Sequence, residues 1–203
     1  MYSPPPIRLL MIEIHKYGLA LILTLASLLT ANAQKVALKT NLLYDATSTP
    51  NLGAELALGK KSTLQLFYGL NPWKFASDRT KQLRHWLLMP EYRYWTCQKF
   101  NGHFFGIHAL GGQYNVGGID LSNPVFKDLD KKRYEGWYAG GGLAYGYQWL
   151  LSRHWSLEAS VGVGYIRFHY KEFPCTECGA LIQENNKNYF GPTKLALSLM
   201  YCF

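Results

Sequence analysis

The stretch Trp155-Ser-Leu-Glu-Ala-Ser-Val-Gly-Val-Gly-Tyr165 alternates without a break. Trp155, Leu157, Ala159, Val161, Val163 and Tyr165 fall on one side of an extended chain; Ser156, Glu158, Ser160, Gly162 and Gly164 fall on the other. Successive side chains of a β-strand point to opposite faces, so this segment has one apolar face and one small or polar face. Three further stretches repeat the pattern. Leu52, Ala54, Leu56 and Leu58 alternate with Gly53, Glu55, Ala57 and Gly59. Trp137, Ala139, Leu143, Tyr145, Tyr147 and Trp149 alternate with Tyr138, Gly140, Gly142, Ala144, Gly146 and Gln148. Leu195, Leu197, Leu199, Tyr201 and Phe203 alternate with Lys194, Ala196, Ser198, Met200 and Cys202.

Working outward from these, the alternation predicts about eight strands, near 35–45, 51–59, 62–70, 85–96, 102–113, 134–149, 154–170 and 189–203. The connections at 59–62, 97–101 and 150–153 are short, and those at 71–84, 114–133 and 171–188 are long, while 46–50 is short. With both termini in the periplasm, the short set falls on the periplasmic side and the longer set outside, as outer-membrane barrels of even strand number prefer. A soluble sandwich or lipocalin-like barrel would carry many charges on its second face. Here that face is mostly Gly, Ala and Ser, which suits a narrow lumen. Charged residues make up 17% of the chain and aromatics 15%, a balance that fits a sheet facing lipid between aromatic girdles. Phe203 ends the last strand with an aromatic, a feature associated with recognition by outer-membrane assembly machinery.

The N-terminal region reads as a secretory signal. Arg8, His15 and Lys16 precede the apolar run Gly18–Leu29, and Ala31-Asn32-Ala33 supplies a small-residue cleavage site, so the mature chain is expected to begin at Gln34. Met11 is an alternative start. The formal charge of +8 falls to +7 once Arg8, Lys16 and Glu13 leave with the signal. An exported basic protein meets anionic lipid and lipopolysaccharide phosphates, not nucleic acid.

Several stretches are distinctive: Lys39-Thr-Asn-Leu-Leu-Tyr-Asp-Ala46, Thr49-Pro-Asn-Leu-Gly53, Asn101-Gly-His-Phe-Phe-Gly106, Arg133-Tyr-Glu-Gly-Trp137, Gly146-Tyr-Gln-Trp149 and Lys187-Asn-Tyr-Phe-Gly-Pro-Thr-Lys194. In these the chain resembles an uncharacterised domain-of-unknown-function family of outer-membrane barrels in the Bacteroidota. The resemblance covers essentially the whole mature chain. It implies a barrel and a frequent association with surface fimbrial gene clusters. It implies no activity and no site residues.

Alternation turns Glu55, Glu91, Arg93, Glu158 and Lys194 inward, with Gln65, His108 and Gln148. An eight-stranded barrel is just wide enough for side chains to fill, and buried charges need partners. The expectation is a salt-bridged plug, with Glu91, Arg93 and Glu158 in one network and Trp86, Leu88, Tyr92 and Tyr94 on the opposite face. A proton or small-ion path is the competing reading.

Cys175-Thr-Glu-Cys178 lies in the last long loop. A redox couple would need a βαβ setting, and zinc would need more ligands than His169, Glu172 and Glu177 offer. A loop-stapling disulfide between Cys175 and Cys178 suits an exported chain best. Cys97 and Cys202 are expected on opposite strands, too far apart to join. Arg79, Lys81, Arg84, Lys127, Lys131, Lys132 and Arg133 gather in long loops, either as a solvated rim or as contacts for lipopolysaccharide phosphates. The glycines of 106–118 and 140–146 lie within strands and form no nucleotide loop.

Arg153-His-Trp-Ser156 resembles the His-x-Ser motif of barrel-type lipid A 3-O-deacylases. On one strand face His154 could serve Ser156 as a base. But it starts a strand at the periplasmic end, and Ser156 shares the lumen face with Glu158. The expectation is therefore an all-β, eight-stranded antiparallel up-and-down transmembrane barrel over 34–203, after a signal peptide over 1–33, in the outer membrane. It is expected to be monomeric, without cofactor, metal or catalysis, with a structural or accessory role at the cell surface. Its expected partners are outer-membrane lipids, lipopolysaccharide and a surface or fimbrial protein. A lipid-modifying barrel enzyme is the alternative, and a small pore comes last.

Overall fold

The computed structural model describes residues 36–73, 82–117, 132–174 and 182–203. The strands run β1 Val36–Asn41, β2 Asn51–Ala57, β3 Ser62–Asn71, β4 Gln82–Trp95, β5 Gly102–Gly117, β6 Arg133–Leu150, β7 Trp155–Phe173 and β8 Gln183–Cys202, with one short helix, α1 Leu42–Ala46. Every neighbouring pair is antiparallel, and β1 pairs with β8 through Ala37–Cys202 to Asn41–Ser198. The eight strands thus close on themselves as a barrel. Its stagger can be followed along one line of partners: Ala37, Glu55, Gln65, Glu91, His108, Gly142, Gly164 and Gly191. The line returns to β8 at Gly191, far along the strand from Cys202, which pairs with the starting residue. Strands so staggered must tilt strongly from the barrel axis.

The first strand is shorter than the expected 35–45. Adjacent Leu42 and Leu43 break the alternation, and Asn41 caps the helix by accepting from the Leu43 N–H at 3.2 Å. The same side chain takes the place of the missing strand. Its Oδ1 accepts from Leu197 N at 3.2 Å, and its Nδ2 donates to the Leu195 carbonyl at 3.4 Å. Helix α1 then packs against β8 and β1, and its Tyr44 meets Phe67 edge-on at 5.5 Å.

The later strands are longer than expected, because the alternation continues with its polarity reversed. Up to Tyr165, β7 carries apolar side chains outward and small or polar ones inward; beyond it Arg167, His169 and Lys171 face out while Phe168, Tyr170 and Glu172 face in. The same reversal occurs at Gln113-Tyr-Asn-Val116 in β5. Arg84 and Arg133, expected in loops, therefore sit on strands.

β8 carries one irregularity. Gly162 pairs with Lys194 but Val163 pairs with Pro192, which leaves Thr193 as an extra residue. Pro192 has no N–H to give a ladder. The bulge brings the Thr193 hydroxyl 2.9 Å from His108 Nε2.

Candidate functional site

The interior is filled in tiers. At the short-turn end Ala37, Trp95, Phe100, Phe104 and Met200 form an apolar floor. Phe100 reaches it from a left-handed turn at φ 62°, a conformation that costs a non-glycine residue about 1–2 kcal/mol. At the other end Phe67, Leu87, Met89, Leu110 and Ile166 pack beneath Tyr44, Tyr138, Phe168 and Tyr189. Between these tiers lies the polar middle.

That middle brings together the five inward charges expected from alternation. Glu55, Glu91, Arg93 and Glu158 are each at most 1% exposed, and Lys194 is 8% exposed. Arg93 is the hub. Its Nε donates to Glu91 Oε1 at 2.8 Å and its Nη1 to Glu55 Oε2 at 2.9 Å. Nη1 and Nη2 grip Glu158 at 2.7 and 3.0 Å. Lys194 Nζ completes Glu91 at 2.6 Å. A sixth member, Lys39, was not among the expected residues. Its Nζ joins Glu55 at 2.7 Å and Glu158 at 2.9 Å. Three cations thus face three carboxylates, and the buried set is neutral. Gln65, His108 and Gln148 also face inward and are buried.

The network is tied to the floor below it. Thr63 donates to Glu55 Oε1 at 2.6 Å and accepts from Trp95 Nε1 at 2.9 Å. The Arg93 guanidinium lies 4.3 Å from the centre of the Phe104 ring. Glycines on the wall make room for these side chains. A Cβ on Gly53 would stand 2.8 Å from Lys39 Cγ, and one on Gly106 would stand 2.8 Å from Glu91 Oε1.

Chemically, this arrangement leaves little free. Each carboxylate is held by cations, so none stands ready as a base. A void of about 50 Å³ beside Arg93, Glu158 and Lys194 has room for a water or two, not for a substrate. Buried Gln65 Oε1, Gln148 Oε1, Ser160 Oγ and His108 Nδ1 lack protein partners; ordered water is the usual complement of such atoms.

His154 and Ser156 do not come together on one face. His154 lies in the turn before β7 and so escapes the alternation; its ring stacks on Tyr201, and its Nδ1 is 3.0 Å from the Cys202 carbonyl oxygen. Ser156 is 1% exposed, inside the barrel. Cys97 and Cys202 are free thiols at the short-turn end. Cys175 and Cys178 lie outside the described residues, as do 1–33, Arg79, Lys81, Lys127 and Lys131.

Some of the basic residues expected at the rim are engaged within the barrel. Lys132 pairs with Glu172 at 2.9 Å, and this hydrogen bond holds the Glu172 carboxyl below the usual carboxylate range. Arg133 lies 3.7 Å from Glu135 and 4.3 Å from the Phe173 ring centre.

A family model matches residues 19–203. The chain belongs to the family described as protein of unknown function DUF3575. The match spans all eight strands, so the whole lumen network lies within the DUF3575 region. No curated protein matches the chain.

Proposed function

We propose that this DUF3575 protein is a small outer-membrane β-barrel with a structural or accessory role at the cell surface. The reading includes export by a cleaved signal over 1–33, a monomeric barrel among outer-membrane lipids and lipopolysaccharide, and a surface or fimbrial protein as partner in a Bacteroidota-type envelope. It is not an enzyme.

The observation that carries the reading is the reversal of polarity along the strands. From Trp155 to Tyr165 the outward face of β7 has no charge, and Val161, Val163 and Tyr165 are each about half exposed or more. Leu64, Leu66, Leu88, Phe105, Ile107, Leu143 and Leu195 continue that surface round the ring. A water-soluble monomer rarely exposes so continuous an apolar surface. Eleven residues at a rise of ~3.3 Å, tilted by ~40°, span roughly 25 Å, the height of a membrane barrel's apolar band. Beyond Tyr165, β7 has Arg167, His169 and Lys171 outside and Phe168 and Tyr170 inside, as a sheet standing in water does.

The filled lumen supports a structural role over transport. Among the described residues, an apolar floor, a neutral ionic tier and an aromatic upper tier fill the interior in succession. Loops borne on the long strands β4 to β8 suit contact with a partner above the membrane.

Fractionation and reconstitution test the proposal. The protein should remain in the outer-membrane pellet after urea washing, and migrate differently on gels before and after boiling. In planar bilayers it should give no stepwise conductance. A protein released in soluble form without detergent would overturn the membrane assignment. Reproducible channel events would overturn the structural one.

A further inference from the structure

Two rows of residues run side by side on the outward wall. The lower row is Leu70, Trp86, Gln113, Trp137 and His169, successive cross-strand partners from β3 to β7. One pleat higher, Arg84, Asn115, Glu135 and Lys171 are partners from β4 to β7. With Pro72 these residues line a groove of about 640 Å³. We infer that this groove binds the phosphorylated saccharide headgroup of lipopolysaccharide. The inference rests on the outer-membrane reading above and adds a site to it.

Three observations point to that ligand. First, the two indoles stand two strands apart, roughly 10 Å by the ladder spacing, which suits stacking on neighbouring sugars of one saccharide. They are already braced: Trp86 Nε1 donates to Gln113 Oε1 at 3.2 Å, and Trp137 stacks on His169 at 5.6 Å. His169 is itself fixed by Asn186 at 3.1 Å and Glu184 at 2.9 Å. Second, the upper row offers what hydroxyls and phosphates use. Asn115 and Glu135, 3.1 Å apart, present an amide and a carboxylate to hydroxyls, while exposed Arg84 and half-buried Lys171, 3.9 Å from Glu184, supply positive charge for phosphate. Third, the groove begins where the apolar band ends. A glycolipid whose acyl chains lie against Leu66, Leu88 and Ile107 would bring its headgroup to this height.

Interface tryptophans alone would explain two indoles at the edge of the band. They do not explain a concave site, nor the amide and carboxylate row one pleat above.

The test uses the full chain refolded in detergent, deep-rough lipopolysaccharide as the probe, and native mass spectrometry as the readout. The wild type should retain one lipopolysaccharide molecule. Trp86→Ala with Trp137→Ala should weaken retention by about tenfold or more, equivalent to ~1.4 kcal/mol. Arg84→Ala should weaken it by roughly threefold, and dephosphorylated lipopolysaccharide should bind the wild type as weakly as the intact form binds Arg84→Ala. All three side chains face outward, and the gel shift on boiling verifies that each variant folds. Retention unchanged in the variants overturns the site, as does equal competition by phosphatidylglycerol, which would mean charge alone. Equal affinity for the deacylated saccharide would overturn the membrane source of the ligand. A barrel that folds in detergent but ignores lipopolysaccharide defeats this inference alone; a chain that is soluble without detergent defeats the reading beneath it.

Discussion

Arg93 and Glu158 grip each other across the centre of the barrel, Nη1 to Oε2 at 2.7 Å and Nη2 to Oε1 at 3.0 Å. They come from β4 and β7, which are not neighbours in the sheet. The forked geometry of guanidinium and carboxylate fixes orientation as well as distance. This contact spans the lumen, holding opposite walls at a set separation.

Removing one partner should be far worse than removing both. Arg93→Met leaves Glu55 and Glu158 with Lys39 alone, and the lumen one charge negative. A loss of about 3–5 kcal/mol is expected for an uncompensated buried charge, measured by urea unfolding in detergent. Adding Glu158→Gln restores neutrality and should recover part of that loss, with a coupling of roughly 1–3 kcal/mol. Additive single effects would refute the direct pairing.

Two glycines on β5 should respond in opposite ways. A methyl at Gly106 would meet Glu91 Oε1 at 2.8 Å, and Glu91 cannot swing aside because Arg93 and Lys194 hold it. Gly106→Ala should cost about 1–3 kcal/mol by overpacking. At Gly111 the nearest atom stands at 3.7 Å, and alanine there should change stability by less than about 0.5 kcal/mol. Paired unfolding curves decide this, and equal effects would count against the wall packing.

Asn41→Ala strips Leu197 N and the Leu195 carbonyl of their side-chain partner. Unsatisfied buried groups of this kind cost about 1–3 kcal/mol. The sharper signature is local: amide exchange at Leu197 should accelerate while that at Leu199, still within the β1–β8 ladder, stays slow. Unchanged exchange at Leu197 would mean that the ladder does not need the asparagine.

Exposed Cys97 reports which way the barrel faces. In a background with Cys175→Ser and Cys178→Ser, a membrane-impermeant maleimide should leave Cys97 unlabelled in intact cells and label it once the outer membrane is permeabilised. Labelling in intact cells would invert the proposed orientation.

Much of this architecture is legible in the alternation. Glu55, Glu91, Arg93, Glu158 and Lys194 could be turned inward because a period of two leaves no third direction. Lys39 escaped because its strand is only six residues long and breaks at Leu42-Leu43. Yet three carboxylates against two cations left one negative charge over, and that imbalance was the signal for a third cation. The upper halves of β5, β7 and β8 were hidden for a different reason. A search for apolar outward faces stops where Arg167 begins, although Phe168, Tyr170 and Glu172 carry on turning inward. Pairings such as Arg93 with Glu158 depend on stagger round the ring, which no single strand encodes.

Divide the chain at the 96–101 turn and each half carries a balanced share of the interior charge: Lys39, Glu55, Glu91 and Arg93 in the first, Glu158 and Lys194 in the second. Half of the ion pairs, however, cross the division: Arg93 to Glu158, Lys39 to Glu158, and Lys194 to Glu91. The first half also pairs its charges internally, Lys39 with Glu55 and Arg93 with Glu91, whereas Glu158 and Lys194 of the second are answered only from the first. Two separately translated fragments would therefore have a built-in reason to seek each other, and only the matched pair would find every charge answered. The lumen acts as a recognition code between the halves of one molecule, and a swapped or shortened hairpin would be rejected from the inside.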